Sequence, residues 1–250
     1  MNANDMPAWV LSQWGVVVLL AARIVGLAWT APGLSTAGLG VRARFMMAVL
    51  ITACVAPGLR QELAVGGNLS EFARLLLIEV AVGATFGVSA GLVVAAARQG
   101  GELVGVQAGL SASSLLEPDA GGEMTPMGHL YGMLALGVFV AMDGPLQLVE
   151  SVTESYRAIP IGGLTLSEST VGSLFSQVGA ALGLALRAAA PATLALMIAG
   201  LALGLMARTA ASFQFMNLSL AVRAVAGFVL VLVGLSPLVA MLATAWRLAL

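Results

Sequence analysis

Long apolar runs between short polar turns limit what this chain can fold into more than any other feature. The longest, Val171–Ala207, carries a single charge, Arg187. At about 1.5 Å per helical residue it is longer than the hydrocarbon core of a bilayer, about 30 Å. Other runs are Trp9–Ala31, Phe45–Ala56, Phe72–Ala97, Met127–Met142 and Ala221–Ala245. Only 9% of the 250 residues are charged and the mean hydropathy is +1.00, whereas soluble domains carry about 25% charge. The pattern predicts an all-α membrane protein with about six apolar helical segments, kinked or broken in places. The length allows roughly six spans of about 20 residues.

The polar punctuation places the turns. Pro32-Gly33 ends the first run, and Arg42 and Arg44 follow. Phe45–Ala56 stops at Pro57-Gly58 and is short for a span, so it reads as re-entrant or buried in protein. Asn68 or Ser70 is placed to cap the next helix. In Arg98–Pro126 the first half, Gly101–Leu110, can be helical. The second, Ser111–Pro126, has the Ser, Gly, Pro and acidic residues of a loop. Asp143-Gly144-Pro145 ends the fourth run, and Leu146–Ser169, with Glu150, Glu154 and Glu168, reads as a water-exposed amphipathic helix and loop. Pro191 is expected to kink or divide the long run, a polar turn to occupy Arg208–Ser219, and Pro237 to bend the last helix. By the distribution of arginines, Arg42, Arg44, Arg98, Arg208 and Arg223 fall on the cytoplasmic side, with both termini and the acidic segment outside.

Several function classes are excluded early. A net charge of −1 gives no footing for nucleic acid. All basic residues are arginine, which suits charges held inside an assembly, although codon usage accounts for it equally well. Cys54 is the only cysteine, so no disulfide forms within the chain, and it reads as a small buried hydrophobe. Asp5 and the missing basic segment argue against a cleaved signal peptide, and Asp5 with Pro7 reads as a helix start. His129 is the only histidine, which excludes multi-histidine metal sites; no nucleotide-binding loop or other cofactor motif is present. Ser111, Asp119 and His129 are the ingredients of a serine protease. They lie within about one loop, where a flexible turn is the simpler reading. No catalytic residue is assigned.

Two patterns remain. Gly83, Gly87 and Gly91 recur every fourth residue, as do Gly101, Gly105 and Gly109, with pairs at Gly128/Gly132, Gly179/Gly183 and Gly200/Gly204. Residues four apart share a helix face, and small residues there let membrane helices approach closely. Arg23, Glu79 and Arg187 lie inside apolar runs. Such charges face a protein interior or a wet cavity. They either line a substrate path, pair helices, or snorkel from a helix end.

The glycine segment is also where a resemblance becomes specific. Gly101-Glu102-x-x-Gly105-x-Gln107-x-Gly109 followed by Glu117-Pro118 resembles the central signature of the FliR family, export-gate proteins of bacterial flagella with relatives in virulence secretion. The similarity runs along almost the whole chain. It includes Arg23-x-x-Gly26 with Ala31-Pro32 and Arg42-x-Arg44, then Glu79-x-x-x-Gly83-x-x-x-Gly87, then Ser155-Tyr156 with Pro160-x-Gly162. Ala190-Pro191, Gly204-Leu205-Met206-Ala207-Arg208 and Gly227 match the C-terminal part. Departures are Glu117-Pro118 for the usual Asp-Pro, Gly144-Pro145 for Gly-His, and Ala211-Ser212-Phe213-Gln214 for Pro-Gln-x-Asn.

The resemblance implies a subunit of the flagellar type III export gate, in the inner membrane at the flagellar basal body, and not an enzyme. It implies a hetero-oligomeric helical pore with P-type and Q-type partners (FliP and FliQ), together with the switch protein FlhB and the export protein FlhA. Unfolded flagellar proteins are the cargo and lipid surrounds part of the assembly. Residues 1–170 correspond to a P-like portion and 171–250 to a Q-like hairpin. The family's pore plug maps onto Gly109–Gly121, with Gly109, Leu110, Ser111, Ala112, Ser113, Ser114, Leu115, Leu116, Glu117 and Pro118 at its heart. On composition alone the same segment reads as an ordinary loop. Gly83, Gly87, Gly91, Gly101 and Gly105 are the expected packing positions against partners. Arg23, Glu79, Glu102, Arg187, Arg208 and Arg223 are the expected intramembrane or interface charges. An injectisome homologue with different cargo, or a small-solute permease with a central binding site, are the alternatives.

Overall fold

The computed structural model describes residues 8–33, 40–56, 69–110, 124–162, 168–209 and 213–249. Among them every regular element is an α-helix: α1 (Ala8–Thr30), α2 (Val41–Val55), α3 (Leu69–Gln107), α4 (Pro126–Ala141), α5 (Gly144–Ala158), α6 (Glu168–Thr209), α7 (Phe213–Val233) and α8 (Leu235–Ala249). The fold class is all-α with long apolar helices, as the runs require. Ser70–Gln107 and Phe175–Leu205 are each long and apolar enough to cross a membrane. Among the described residues, by length and composition, the spans number up to four if the bent pairs α4–α5 and α7–α8 each count as one. α2 has only 15 residues, which at about 1.5 Å each is less than a bilayer core.

Several local expectations shift. Arg98 and Glu102 do not interrupt α3, which runs 39 residues to Gln107; both side chains find places on α4, described below. Asp143-Gly144-Pro145 ends one helix and starts another. Asp143 takes a left-handed φ of 56° at the N-cap of α5, and Pro145 sits in its first turn, where a missing N–H costs no hydrogen bond. Pro191 lies inside α6 without dividing it. The final bend of 57° falls at Gly234 instead of Pro237, because Pro237 occupies the first turn of α8, where proline is tolerated. The expected polar turn at Arg208–Ser219 is shorter, since α6 continues to Thr209 and α7 begins at Phe213. Cys54 is exposed on α2, not buried.

The chain divides into two compact units: Met1–Gly91 with Asp143–Leu174 and Leu250, and Leu92–Met142 with Phe175–Ala249. In the first unit, α1 and α3 run side by side in the same direction. α5 packs on α1, with Ser155 and Tyr156 hydrogen-bonded to Arg23 and the Leu20 carbonyl, and Leu148, Val152, Ser155 and Tyr156 are all buried. Their spacing of three or four places them on one helix face, while Glu150 and Glu154 on the other side are exposed. This is the amphipathic helix the sequence indicates. In the second unit, α3 and α4 form an antiparallel pair, and Trp246 of α8 is fully buried against Phe139 of α4, ring centres 4.5 Å apart.

Candidate functional site: a buried arginine–glutamate cluster and a capped loop base

The first site starts from a charge that has nowhere to go. Arg23, in the apolar α1, is 0% exposed. Its Nε donates to Glu79 Oε2 of α3 at 2.7 Å. Its Nη1 donates to Ser155 Oγ at 2.9 Å and its Nη2 to the Ile159 carbonyl at 3.2 Å. Its guanidinium lies 4.2 Å from the centre of the Tyr156 ring. Glu79 is equally buried, and its Oε1 accepts from the Gly162 backbone N–H at 2.9 Å. Tyr156 donates to the Leu20 carbonyl at 2.9 Å. A buried ion pair is tolerable when further hydrogen bonds satisfy both ends; here both carboxylate oxygens and all three guanidinium nitrogens have partners.

Glycine makes that geometry possible. A Cβ at Gly83 would collide with the Arg23 backbone carbonyl, one at Gly87 with the Thr30 hydroxyl, and one at Gly26 with the Val80 carbonyl. The α1 and α3 backbones therefore touch along the line that brings Arg23 to Glu79. Thr30 Oγ1 donates across this seam to the Ala84 carbonyl at 3.2 Å. Gly91 is looser, its would-be Cβ 3.7 Å from the Thr30 carbonyl. After α5 the chain turns through Gly162 at φ 76°, a conformation glycine adopts freely, and this turn aims the Gly162 N–H at Glu79. Arg23-x-x-Gly26, Glu79-x-x-x-Gly83-x-x-x-Gly87, Ser155-Tyr156 and Pro160-x-Gly162, separate in sequence, thus meet at one point.

The second site lies at the end of α3. Glu102 Oε2 accepts from both the backbone N–H and the hydroxyl of Thr125, each at 2.8 Å. Thr125 Oγ1 in turn accepts from Gly128 N–H at 3.2 Å, capping α4 with Pro126 in its first turn. Gly105 has no room for a Cβ because Thr125 fills it, and a Cβ at Gly101 would lie 2.9 Å from Gly128 Cα. The Arg98 side chain lies over Gly132. The Gly101/Gly105 and Gly128/Gly132 stripes thus face each other. Past α3, Gly109 takes φ 78°, and Leu110 N–H returns to the Gly105 carbonyl at 3.0 Å. Both ends of the intervening segment are pinned at one place. Ser111, Ala112, Ser113, Ser114, Leu115, Leu116, Glu117 and Pro118 lie outside the described residues, as does Asp119; His129 is exposed on α4.

The remaining charges diverge. Arg187 is exposed on α6. Arg223 of α7 is half-buried; its Nη2 donates to the Gly200 carbonyl at 3.3 Å, while its Nε is buried and has no hydrogen-bond partner among the described residues. Arg208 is in the last turn of α6, its side chain outside the described residues. The close contacts of Gly83, Gly87, Gly101 and Gly105 are to this chain's own helices. Sequence reasoning did not assign Thr125 as a cap, although Thr-Pro before an apolar run is a readable helix start. Nor did it assign Ser155, Tyr156 and Gly162 as partners of the ion pair; nothing in their local sequence gives the distance to Arg23.

Long apolar helices joined through buried charges and glycine seams define an integral membrane protein whose polar groups organise helices. The chain matches the bacterial export proteins, family 1, over residues 14–249, and it belongs to that family. It is 30% identical to flagellar biosynthetic protein FliR of Pectobacterium carotovorum subsp. carotovorum, covering 84% of this chain and 78% of that one. It is 31% identical to flagellar biosynthetic protein FliR of Escherichia coli K12, covering 75% and 72%. Yop proteins translocation protein T of Yersinia pestis is 28% identical, covering 66% and 65%.

Proposed function

We propose that this chain is a subunit of the flagellar type III protein export gate, working in the inner membrane at the flagellar basal body. The match along residues 14–249 to an export family, with FliR proteins among the similar relatives, carries the reading. Other components of the export apparatus are its partners, specifically FliP and FliQ in the pore, with FlhB and FlhA beside it. Unfolded polypeptide is the cargo, and the chain serves as channel wall instead of catalyst. Exposed apolar side chains on α6 and α7, such as Leu182, Ile198, Val225 and Phe228, suit burial against lipid or neighbouring subunits.

In this reading the Arg23–Glu79 cluster is structural and holds α1, α3 and the end of α5 as one body. Gly109–Gly121 is the closing element, and the Glu102–Thr125 contact fixes the base of that loop. Co-expression with the P-type and Q-type partners, followed by native mass spectrometry in detergent, tests the assignment. A discrete hetero-oligomer containing this chain is expected; a lone monomer or homodimer refutes it and favours a small-solute permease. The injectisome relative is less similar than the two flagellar ones, so virulence secretion ranks second.

A further inference from the structure

The glycine stripes of this chain fall into two kinds. Those of α3 and α4 are filled from within, whereas among the described residues a Cβ at Gly179 or Gly183 of α6 would meet no atom within 4 Å. Arg187 continues that line at the same spacing of four, so the three residues share one face. The flanking Leu182, Leu186, Leu194 and Ile198 are each at least 60% exposed. Among the described residues Arg187 has no ion-pair or hydrogen-bond partner. It stands 12 residues from Phe175 and 18 from Leu205, the ends of the apolar span, or about 18 and 27 Å along the axis. A charge so placed requires a counter-charge or water.

We propose that this α6 face binds a membrane helix of a partner subunit that presents a carboxylate opposite Arg187. This deepens the export-gate reading and rests on it. Charge complementarity sets the occupant's chemistry. The chain's own α1–α3 seam supplies the pattern, since there an arginine on one helix meets a glutamate on another while glycines let the backbones touch. Gly179 and Gly183 leave the same room for a closely packed helix, and the exposed leucines flank it with apolar surface. A lipid phosphate shares the carboxylate's charge, but it lies at the membrane surface, whereas the neighbouring α6 surface is apolar in both directions from Arg187.

The test uses the full chain co-expressed with its P-type and Q-type partners, comparing wild type, Arg187→Gln and Arg187→Glu. Arg187→Glu is expected to lower the yield of hetero-oligomer about tenfold or more, with Arg187→Gln intermediate. Thermal unfolding of the isolated chain is expected to stay unchanged in both. Replacing one acidic residue in a partner's apolar helix by Lys is expected to restore assembly with Arg187→Glu. An undiminished hetero-oligomer with Arg187→Glu overturns the proposal. So does an intact hetero-oligomer alongside lost retention in phosphatidylglycerol, as opposed to phosphatidylcholine, nanodiscs, which identifies lipid phosphate as the occupant. A wild-type chain that forms no hetero-oligomer removes the export-gate reading itself, and this inference with it.

Discussion

The α1–α3 seam and the exposed face of α6 are built from the same residue types and end in opposite states. Each sets an arginine beside glycines four apart. On the seam, Arg23 is fully buried and every polar atom of its pair is satisfied within the chain. On α6, Arg187 is exposed, and among the described residues nothing lies against Gly179 and Gly183. The difference teaches that glycine spacing states a capacity for close approach, while the presence of a second helix decides whether it is used. Small residues lower the distance at which two backbones can meet; they do not supply the second backbone.

The largest expected effect breaks the completed side of that comparison. Arg23→Met alone, or Glu79→Met alone, leaves a buried charge uncompensated and is expected to destabilise the isolated chain by about 3–5 kcal/mol. The double variant removes both charges and should recover most of the loss. Reversible unfolding in mixed micelles measures all three, and an additive double variant would show that the two residues do not act as a pair. Gly83→Leu comes next. Overpacking typically costs about 1–3 kcal/mol, and here the obstruction is backbone of α1, so the upper end is expected. Gly179→Leu should leave the same unfolding curve unmoved, and an equal effect of the two substitutions would erase the contrast between the helices.

Smaller changes sharpen the picture at the base of the loop. Thr125→Ala removes the α4 cap and one of the two donors to Glu102. A loss of about 1 kcal/mol is expected, with Thr125→Ser near wild type. Hydrogen exchange at the first turn of α4 would localise it. Pro237→Ala should change stability by about 0.5 kcal/mol or less, because the bend belongs to Gly234 and Pro237 sits in a first turn. A straightened α7–α8 pair in that variant, detected by spin-label distances, would return the bend to the proline.

Much of the fold was legible in residue order alone. Apolar run length gives helices that water cannot surround, and the alternation of Glu150 and Glu154 with Leu148 and Val152 gives the amphipathic α5. Proline positions misled where the register within a helix mattered. Pro191 reads as a kink or division of the long run and Pro237 as a bend of the last helix, yet Pro191 does not divide α6 and Pro237 sits in a first turn. Sequence spacing could not reveal that register, because proline's cost depends on whether its N–H was needed.

The sequence by itself determined that this is a helical membrane protein with glycine faces, uncompensated charges along its apolar runs and the motifs of an export family. Only the tertiary structure decided which charges are settled within the chain. Arg23, Glu79, Ser155 and Gly162 are far apart along the chain, and hydrogen bonding depends on ångström distances that sequence separation does not encode. The same holds for the glycines. Gly83 and Gly179 read identically as letters and differ only in whether another helix lies against them.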